Sequence, residues 1–208
     1  MKWGQLRRSI AMFRAGRYGD AAVLKADALG LQAAPAIEAR LAPVRGYTPA
    51  IDLDALRRLP AGSFGRAYAE FLDERGLSPL IISPELAAEV ARNVFAVRYA
   101  ATHDMFHTLL GFDTSLAGEA GVYAFAAEQG YLRRGDAIVA FAQVVYTLRR
   151  PWQFRRIRAA VRRGRELGRR ARMLLAVRLE EHWERPLADL RAELGLEAAV
   201  VAPEARAA

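Results

Sequence analysis

The chain has 208 residues, of which 53% are hydrophobic and 26% are charged, so we expect a globular protein rather than a disordered one. It contains no cysteine, which excludes thiolate metal ligands, disulfide bonds and a cysteine nucleophile. The most apolar stretch, residues 137–148, covers only twelve residues and is too short for a membrane-spanning helix.

The first nineteen residues contain no acidic residue and no apolar core of the kind that secretory signal peptides have. Between their basic residues, four apolar side chains recur at helical spacing: Trp3, Leu6, Ile10 and Phe13. This pattern predicts a surface helix, and it also fits an anchor on a membrane surface or a mitochondrial leader. The frequent alanine and arginine are typical of a bacterial protein, which favours the first two interpretations.

Glycine and proline divide the rest of the chain into segments that are rich in helix-forming residues. Ser83 and Pro84 predict the start of a central helix, and Gly111 predicts its end. The predicted helices cover residues 19–29, 52–59, 64–75, 83–111, 115–129, 135–149, 152–183 and 186–194. Residues 201–208 are predicted to be disordered. Because no repeat and no extended strand pattern is present, we predict an all-α fold in which residues 1–208 form a single helical domain of about seven to nine helices.

Two of the three histidines in the chain, His103 and His107, lie four residues apart in the predicted central helix. At this spacing both side chains lie on one helix face and can reach a single point. Asp104 can reach the same point, and Glu119 follows a glycine-containing spacer that predicts a hairpin. Two nitrogens and two carboxylates suit zinc, iron, cobalt or manganese, so the sequence predicts a divalent metal ion. The alternative is a hydrogen-bonded histidine pair beside an acidic residue.

Small side chains lie on the same face of this helix, one, two and three turns before the histidines. Asn93, Ala96 and Ala100 would leave a groove that leads to the predicted metal, which fits a long apolar substrate with a polar head. Gly164 and Gly168, on the apolar face of a later helix, could likewise make room for a lipid chain. Close helix packing is the alternative explanation for both sets.

Residues 149–172 hold the excess positive charge of the chain. Eleven arginines and the single acid Glu166 give this segment a net charge of +10, so the rest of the +8 chain sums to −2. The predicted helix places apolar residues on one face and arginines on the other. We expect this face to contact an anionic membrane surface, with a solvated helix face as the alternative. Nucleic acid is the remaining interpretation, although only two aromatic residues are present for stacking. The predicted membrane-surface residues are Arg155, Arg156, Arg158, Arg162, Arg163, Arg169 and Arg170.

The segment HDMFHTLLGFDTSLAGE resembles the HDxxHx11E signature of the coenzyme Q (ubiquinone) biosynthesis family, the fourth-numbered protein of the eukaryotic Coq complex. Residues 59–72 are similar to a conserved run of that family, and residues 164–191 are similar to its closing helices. The resemblance covers residues 45–196 and leaves residues 1–44 as variable N-terminal helices. The run Phe112-Asp113-Thr114 looks more like bacterial members. Gly130-Tyr131-Leu132 replaces the Gly-Leu-Pro turn of eukaryotic members, which puts the exact reaction more in doubt than the fold.

The resemblance implies a role in ubiquinone biosynthesis. It implies oxidative decarboxylation at ring carbon 1 of a polyprenylated benzoate, organisation of other pathway enzymes, or both. The metal would be held by His103, Asp104, His107 and Glu119. The expected partners are a polyprenylated quinone precursor or another prenyl lipid, other ubiquinone biosynthesis proteins, and a second copy of the chain in a homodimer. The expected location is the cytoplasmic side of the inner membrane in a bacterium, or the matrix side of the mitochondrial inner membrane in a eukaryote.

Two other functions remain open at this point. The chain could be a non-catalytic scaffold that binds prenyl lipids and uses the metal only for structure. More remotely, it could be a basic helical protein that binds nucleic acid. Steep salt dependence of binding to generic DNA would indicate the latter.

Overall fold

The computed structural model describes residues 2–131 and 135–197. Within these residues the fold is built from α-helices and short 3-10 turns without a β-strand, so the prediction of an all-α protein is confirmed. The predicted disordered tail, residues 201–208, lies outside the described residues. The helices are α1 Trp3–Arg14, α2 Tyr18–Leu29, α3 Pro35–Arg40, α4 Leu53–Arg57, α5 Phe64–Asp73, α6 Ala87–Arg92, α7 Val94–Leu110, α8 Leu116–Glu128, α9 Gly135–Arg149, α10 Phe154–Arg170 and α11 Leu187–Glu193.

The predicted central helix over residues 83–111 is wrong as a single element, because the chain breaks at Asn93. A 3-10 turn at Pro84–Leu86 and α6 precede this residue, and α7 follows it. Asn93 leaves the helical conformation at φ −142° and accepts a hydrogen bond from the Ala96 amide at 3.0 Å, which caps α7. Its side-chain amide donates to the Leu31 carbonyl at 2.7 Å. The predicted stop at Gly111 is confirmed, with φ at 65°.

The predicted helix over residues 152–183 is also wrong in length, because α10 ends at Arg170. Ala171 is extended, and the Arg172 amide donates to the Leu194 carbonyl at 2.9 Å instead of continuing the helix. Two 3-10 turns, Leu174–Ala176 and Leu179–Glu181, then carry the chain to α11. The C-terminal segment therefore fixes the end of α10 through a tertiary hydrogen bond.

Helix α7 lies at the centre of the molecule and is buried on nearly all sides. Its Phe106 and Leu109 belong to the main hydrophobic core, together with Phe64 and Tyr68 of α5 and Phe125 of α8. The amphipathic helix α5 packs its apolar face against α7, and α2 and α8 also contact α7. This arrangement makes α7 a rigid support for the side chains at its C-terminal end.

Helices α8 and α10 pack closely through glycines, and this contact corrects the interpretation of Gly164 and Gly168 as lining a lipid groove. A Cβ atom at Gly164 would overlap the Gly121 carbonyl oxygen of α8. One at Gly168 would lie 2.7 Å from the Glu128 Cβ and 3.0 Å from the Phe125 carbonyl oxygen. The space beside these two glycines is thus occupied by α8 itself.

Candidate metal centre

A short, well-fixed turn joins α7 to α8 and sets the position of Glu119. The Ser115 hydroxyl caps α8 by accepting a hydrogen bond from the Gly118 amide at 3.2 Å. Asp113 accepts hydrogen bonds from both the amide and the hydroxyl of Ser115, at 3.1 and 2.5 Å. A Cβ atom at Gly118 would overlap the Asp113 carbonyl oxygen, so only glycine permits this turn. Glu119 consequently lies in the first turn of α8, opposite the histidines of α7.

Three of the four predicted ligands converge on one point. Glu119 Oε1 lies 3.3 Å from His107 Nε2, and Glu119 Oε2 lies 3.6 Å from His103 Nε2. One ligand atom from each residue can be chosen so that all three lie within 4.8 Å of one another. The i, i+4 spacing and the hairpin therefore produce the juxtaposition that the sequence predicts.

The other nitrogen of each imidazole faces a hydrogen-bond acceptor. His107 Nδ1 lies 3.2 Å from the Phe112 carbonyl oxygen, and His103 Nδ1 lies 3.3 Å from Asp104 Oδ1. Because a carbonyl oxygen can only accept, the His107 hydrogen resides on Nδ1, and the carboxylate favours the same tautomer at His103. Both rings then present an Nε2 lone pair to Glu119.

The position of Asp104 corrects its prediction as a direct ligand. Its carboxylate contacts the Nδ1 side of His103, whereas Glu119 faces the Nε2 side. A carboxylate that orients a ligating imidazole through its far nitrogen is a common partner of metal-bound histidines. Asp104 is thus placed to hold the tautomer and ring orientation of His103.

The three converging residues fit a divalent cation. An imidazole lone pair and a carboxylate oxygen are both acceptors, so they repel at 3.3 Å unless a proton or a cation lies between them. His107 Nε2 is buried and has no hydrogen-bond partner within the described part of the chain. A tetrahedral site with bonds of about 2.0–2.1 Å separates its ligand atoms by about 3.3 Å, close to the spacing here.

Aromatic rings position the two histidines. Phe71 of α5 stacks on His107 with ring centres 5.6 Å apart, and Tyr99 meets His103 edge-on at 5.6 Å. Burial lowers the pKa of His103, but the Asp104 hydrogen bond and the Glu119 charge outweigh it, so the net pKa is raised. The surroundings of His103 therefore favour a positive charge at this imidazole. A bound metal ion would supply such a charge.

The groove predicted along Asn93, Ala96 and Ala100 is not open in the structure. All three residues are buried; Asn93 caps α7, and Ala96 belongs to the main core. Their small size serves helix packing, which corrects that prediction. A different groove, of about 950 Å³, lies between α5, the end of α7 and α10; His107 lines it, whereas His103 and Glu119 do not. Its lining includes Phe71, Phe112, Ala160 and Leu187.

The arginines predicted to face a membrane fall into two groups. Four of them have partners within the protein. Arg156 pairs with Asp113 at 2.8 Å, Arg163 donates to the Leu110 carbonyl at 2.8 Å, and Arg169 and Arg170 pair with glutamates. In residues 2–131 and 135–197, no carboxylate pairs with the other three, Arg155, Arg158 and Arg162.

Several contributors to the centre were missed by sequence reasoning. The Phe112 carbonyl fixes the His107 tautomer, and Phe71 stacks on its ring. The position of the Phe112 carbonyl could have been inferred from Gly111. A left-handed glycine at the end of a helix turns the following backbone towards the last helical turn. The contact of Phe71 depends on the packing of α5 against α7 and has no local signal.

Comparison with known proteins identifies the family. Residues 45–199 match the family model for the coenzyme Q (ubiquinone) biosynthesis protein Coq4. The chain is 37% identical over 156 residues to the mitochondrial ubiquinone biosynthesis protein COQ4 homolog of Bos taurus, covering 70% of this chain and 55% of the relative. It is 35% identical over 164 residues to the Homo sapiens homolog, covering 73% and 57%. The chain thus spans about half the length of these curated relatives.

A crystal structure of a protein from Nostoc punctiforme supports the fold. It is similar with a TM-score of 0.63 and 22% sequence identity, over 92% of this chain and 95% of that one. The family match covers the histidine pair, Glu119 and the turn between them, together with the helices that support them. The chain belongs to the Coq4 family of coenzyme Q (ubiquinone) biosynthesis proteins.

Proposed function

We propose that this chain acts in ubiquinone biosynthesis as a metal-dependent enzyme on the aromatic ring of a polyprenylated precursor, by oxidative decarboxylation at ring carbon 1. Dioxygen and a two-electron reductant would replace the ring carboxylate by a hydroxyl group and release carbon dioxide and water. The observation that carries the proposal is the convergence of both Nε2 atoms on Glu119, with His107 Nε2 buried and without a hydrogen-bond partner among the described residues. Two imidazoles and one carboxylate with open positions are the donor set of non-haem iron oxygenases, and they also suit zinc.

The residues of the chain have separate roles in this proposal. His103, His107 and Glu119 would hold the ion, which would polarise the carboxylate and phenol oxygens of the substrate. Asp104 and the Phe112 carbonyl orient the two imidazoles through their Nδ1 atoms. Phe71 covers His107 and excludes water from that side of the ring. The groove that His107 lines would hold part of the substrate beside the centre.

The alternative within the same pathway is a scaffold that binds a prenyl lipid and other ubiquinone biosynthesis proteins around a structural metal. The mitochondrial relatives carry names that place them in an organelle. For this chain, we propose peripheral attachment to the membrane that holds the quinone pool. This is the inner membrane of a bacterium or, in a eukaryote, the mitochondrial inner membrane on its matrix side.

A complementation experiment separates the two roles. Cells that lack their own Coq4 family protein would express the wild type, Glu119→Gln, or the control Glu128→Gln, which changes a carboxylate of the same helix away from the histidines. Quinone and ring-carboxylated precursor would be measured by mass spectrometry. We expect the wild type and Glu128→Gln to restore quinone. Glu119→Gln should melt normally yet accumulate the carboxylated precursor.

Two other results would count against the enzyme. Restored quinone in Glu119→Gln would contradict any role of the metal centre in the reaction. Loss of quinone accompanied by loss of the other pathway proteins, without precursor accumulation, would favour the scaffold.

A further inference from the structure

Helix α9 and the 3-10 turn that follows it, Pro151–Gln153, expose an apolar surface. Phe141, Val144 and Leu148 recur at spacings of three and four residues, so they form one stripe along the helix. They are 71%, 59% and 77% exposed, and Trp152 and Phe154 continue the surface at 70% and 44%. The opposite face of α9 is buried against the body of the protein. We call these five exposed side chains the α9 patch.

Arginines lie next to members of the α9 patch. Arg149, Arg150, Arg155 and Arg158 are within four residues of Leu148, Trp152 or Phe154 in the chain, and in the part of the chain that the structure describes none of them pairs with a carboxylate. The Arg150 guanidinium lies 5.5 Å from the centre of the Trp152 ring, and that of Arg158 lies 5.4 Å from the Phe154 ring. The unpaired charge of the arginine-rich segment is thus concentrated where the apolar side chains are exposed.

This combination favours a lipid bilayer of negative charge over other partners. Exposed aliphatic and aromatic side chains gain free energy by entering the boundary between headgroups and acyl chains, and arginines at the rim pair with anionic headgroups. A nucleic acid would leave Val144 and Leu148 without an apolar environment. A second copy of the chain, paired through the same face, would bring two sets of unpaired arginines together.

We propose that the α9 patch and its arginines dock on an anionic membrane surface. None of the described helices is long and apolar enough to cross a bilayer, and docking at the surface does not need one. On its other side, α9 packs against α8, because Val139 and Tyr146 of α9 share one apolar cluster with Ala120 and Tyr123 of α8. Tyr123 lies one turn after Glu119, so α9 lies between the docked surface and the helix that supplies the carboxylate ligand.

The role of this docking in catalysis rests on the proposed function. A prenylated substrate resides in the bilayer, so docking in this orientation would bring the protein to its substrate. The helix nearest the lipid would then be the one next to the metal centre. The predicted membrane contact thereby moves from the whole arginine face of α10 to the end where Arg155 and Arg158 lie beside Trp152.

The test is sedimentation of the full chain with vesicles of phosphatidylcholine, alone or mixed with phosphatidylglycerol. Leu148→Ser with Trp152→Ser removes two members of the α9 patch. The matched control is Ile81→Ser with Trp3→Ser, since Ile81 is 79% and Trp3 is 65% exposed elsewhere on the surface. We expect the patch variant to lower the partition coefficient at least roughly tenfold, and the control to leave it unchanged.

A second pair of variants tests the charge. Replacing Arg150, Arg155 and Arg158 with glutamine should lower binding to the anionic vesicles by roughly 100-fold, since each arginine near such a surface contributes about a factor of five. The control replaces Arg14, Arg40 and Arg58 and removes the same net charge elsewhere. Binding should also weaken with added salt, because exposed charges are screened.

Three results would overturn the proposal. The first is that the wild type fails to bind anionic vesicles. The second is that each variant binds as well as the wild type. The third is that the Ile81 and Trp3 control loses binding while the patch variant keeps it, which would move the contact to α1. These outcomes are independent of the proposed function. The metal content of the patch variant should equal that of the wild type, whereas failure of the metal centre would leave vesicle binding intact.

Discussion

At the scale of single residues, the direction in which each imidazole points decides what the centre can do. Helical spacing alone predicts that His103 and His107 share a face, and the structure brings them together with Glu119. The same spacing gave Asp104 as a fourth ligand. Helix geometry could not show whether the Asp104 carboxylate lies on the Nε2 side or on the Nδ1 side of His103, because the aspartate side chain can reach both.

The position of Asp104 gives a testable expectation for Asp104→Asn. Loss of the negative charge beside His103 Nδ1 should weaken metal affinity by about 10- to 100-fold, while the purified variant still binds one ion at saturating metal. Calorimetric titration of the metal-free protein would measure both values, with Asp136→Asn, on exposed α9, as the control. Complete loss of binding at saturation would instead make Asp104 a direct ligand.

At the scale of elements, the sequence predicts where helices exist better than where they end. The predicted central helix breaks at Asn93, and the predicted long basic helix ends at Arg170. Both ends depend on hydrogen bonds to distant backbone groups, the carbonyls of Leu31 and Leu194. Local propensity contains no information about such partners, so these boundaries could not be predicted from the sequence.

The close packing of α8 and α10 leads to a prediction for Gly164→Ala. Although alanine favours a helix, its Cβ atom would overlap the Gly121 carbonyl, so we expect a loss of about 1–3 kcal/mol in the free energy of unfolding. The control is Gly4→Ala in α1, where, among the described residues, no atom beyond the adjacent residues and the helix's own backbone lies within 4 Å of the added Cβ. That change should stabilise the protein by about 1 kcal/mol or less. If urea denaturation gave the same change in unfolding free energy for both variants, α8 would be able to move away from the added Cβ atom.

A buried carboxylate ties α2 to the segment before α6 and makes stability depend on pH. Asp20, 1% exposed, accepts hydrogen bonds from the Ser83 amide and hydroxyl and from Arg17. Burial raises the pKa of Asp20, but these bonds outweigh it and hold the pKa below its ordinary value. The contribution of Asp20 to stability is therefore present above the ordinary carboxylate pKa, about 3.9, and is lost as pH falls through the lowered pKa.

We accordingly expect Asp20→Asn to lower the free energy of unfolding by about 1–3 kcal/mol at neutral pH. The difference from the wild type should shrink as pH falls below the ordinary carboxylate pKa. Urea denaturation over a pH series measures it, with the exposed Asp54→Asn as control. A difference that stays constant through the acid range would contradict the lowered pKa of Asp20.

At the scale of the whole molecule, a buried ion pair joins the central helix to the C-terminal part of the chain. Arg98 of α7 and Glu180 lie 2.7 Å apart, and their side chains are 0% and 4% exposed. Arg98 also donates to the Val177 carbonyl at 3.0 Å. This pair could not be predicted from the sequence, because its members are 82 residues apart and each resembles an ordinary surface residue.

Removing one partner of the pair should cost more than removing both. Arg98→Met leaves Glu180 buried without its counter-ion and should lower the free energy of unfolding by about 3–5 kcal/mol, whereas Arg98→Met with Glu180→Leu should recover most of that loss. Chemical denaturation measures both, and the exposed Arg57→Met serves as control, with an expected cost well below that of Arg98→Met. Equal losses in the single and double variants would show that packing, not charge, dominates.

The proposed function of the protein depends on a metal ion at the junction of α7 and α8. Elemental analysis of the purified protein, beside the variant His103→Ala with His107→Ala, tests this directly, and circular dichroism establishes that the variant is folded. We predict one divalent ion per chain in the wild type and none in the folded variant. Stoichiometric metal in the variant, or none in a wild type supplied with zinc and iron, would contradict a metal centre formed by these histidines.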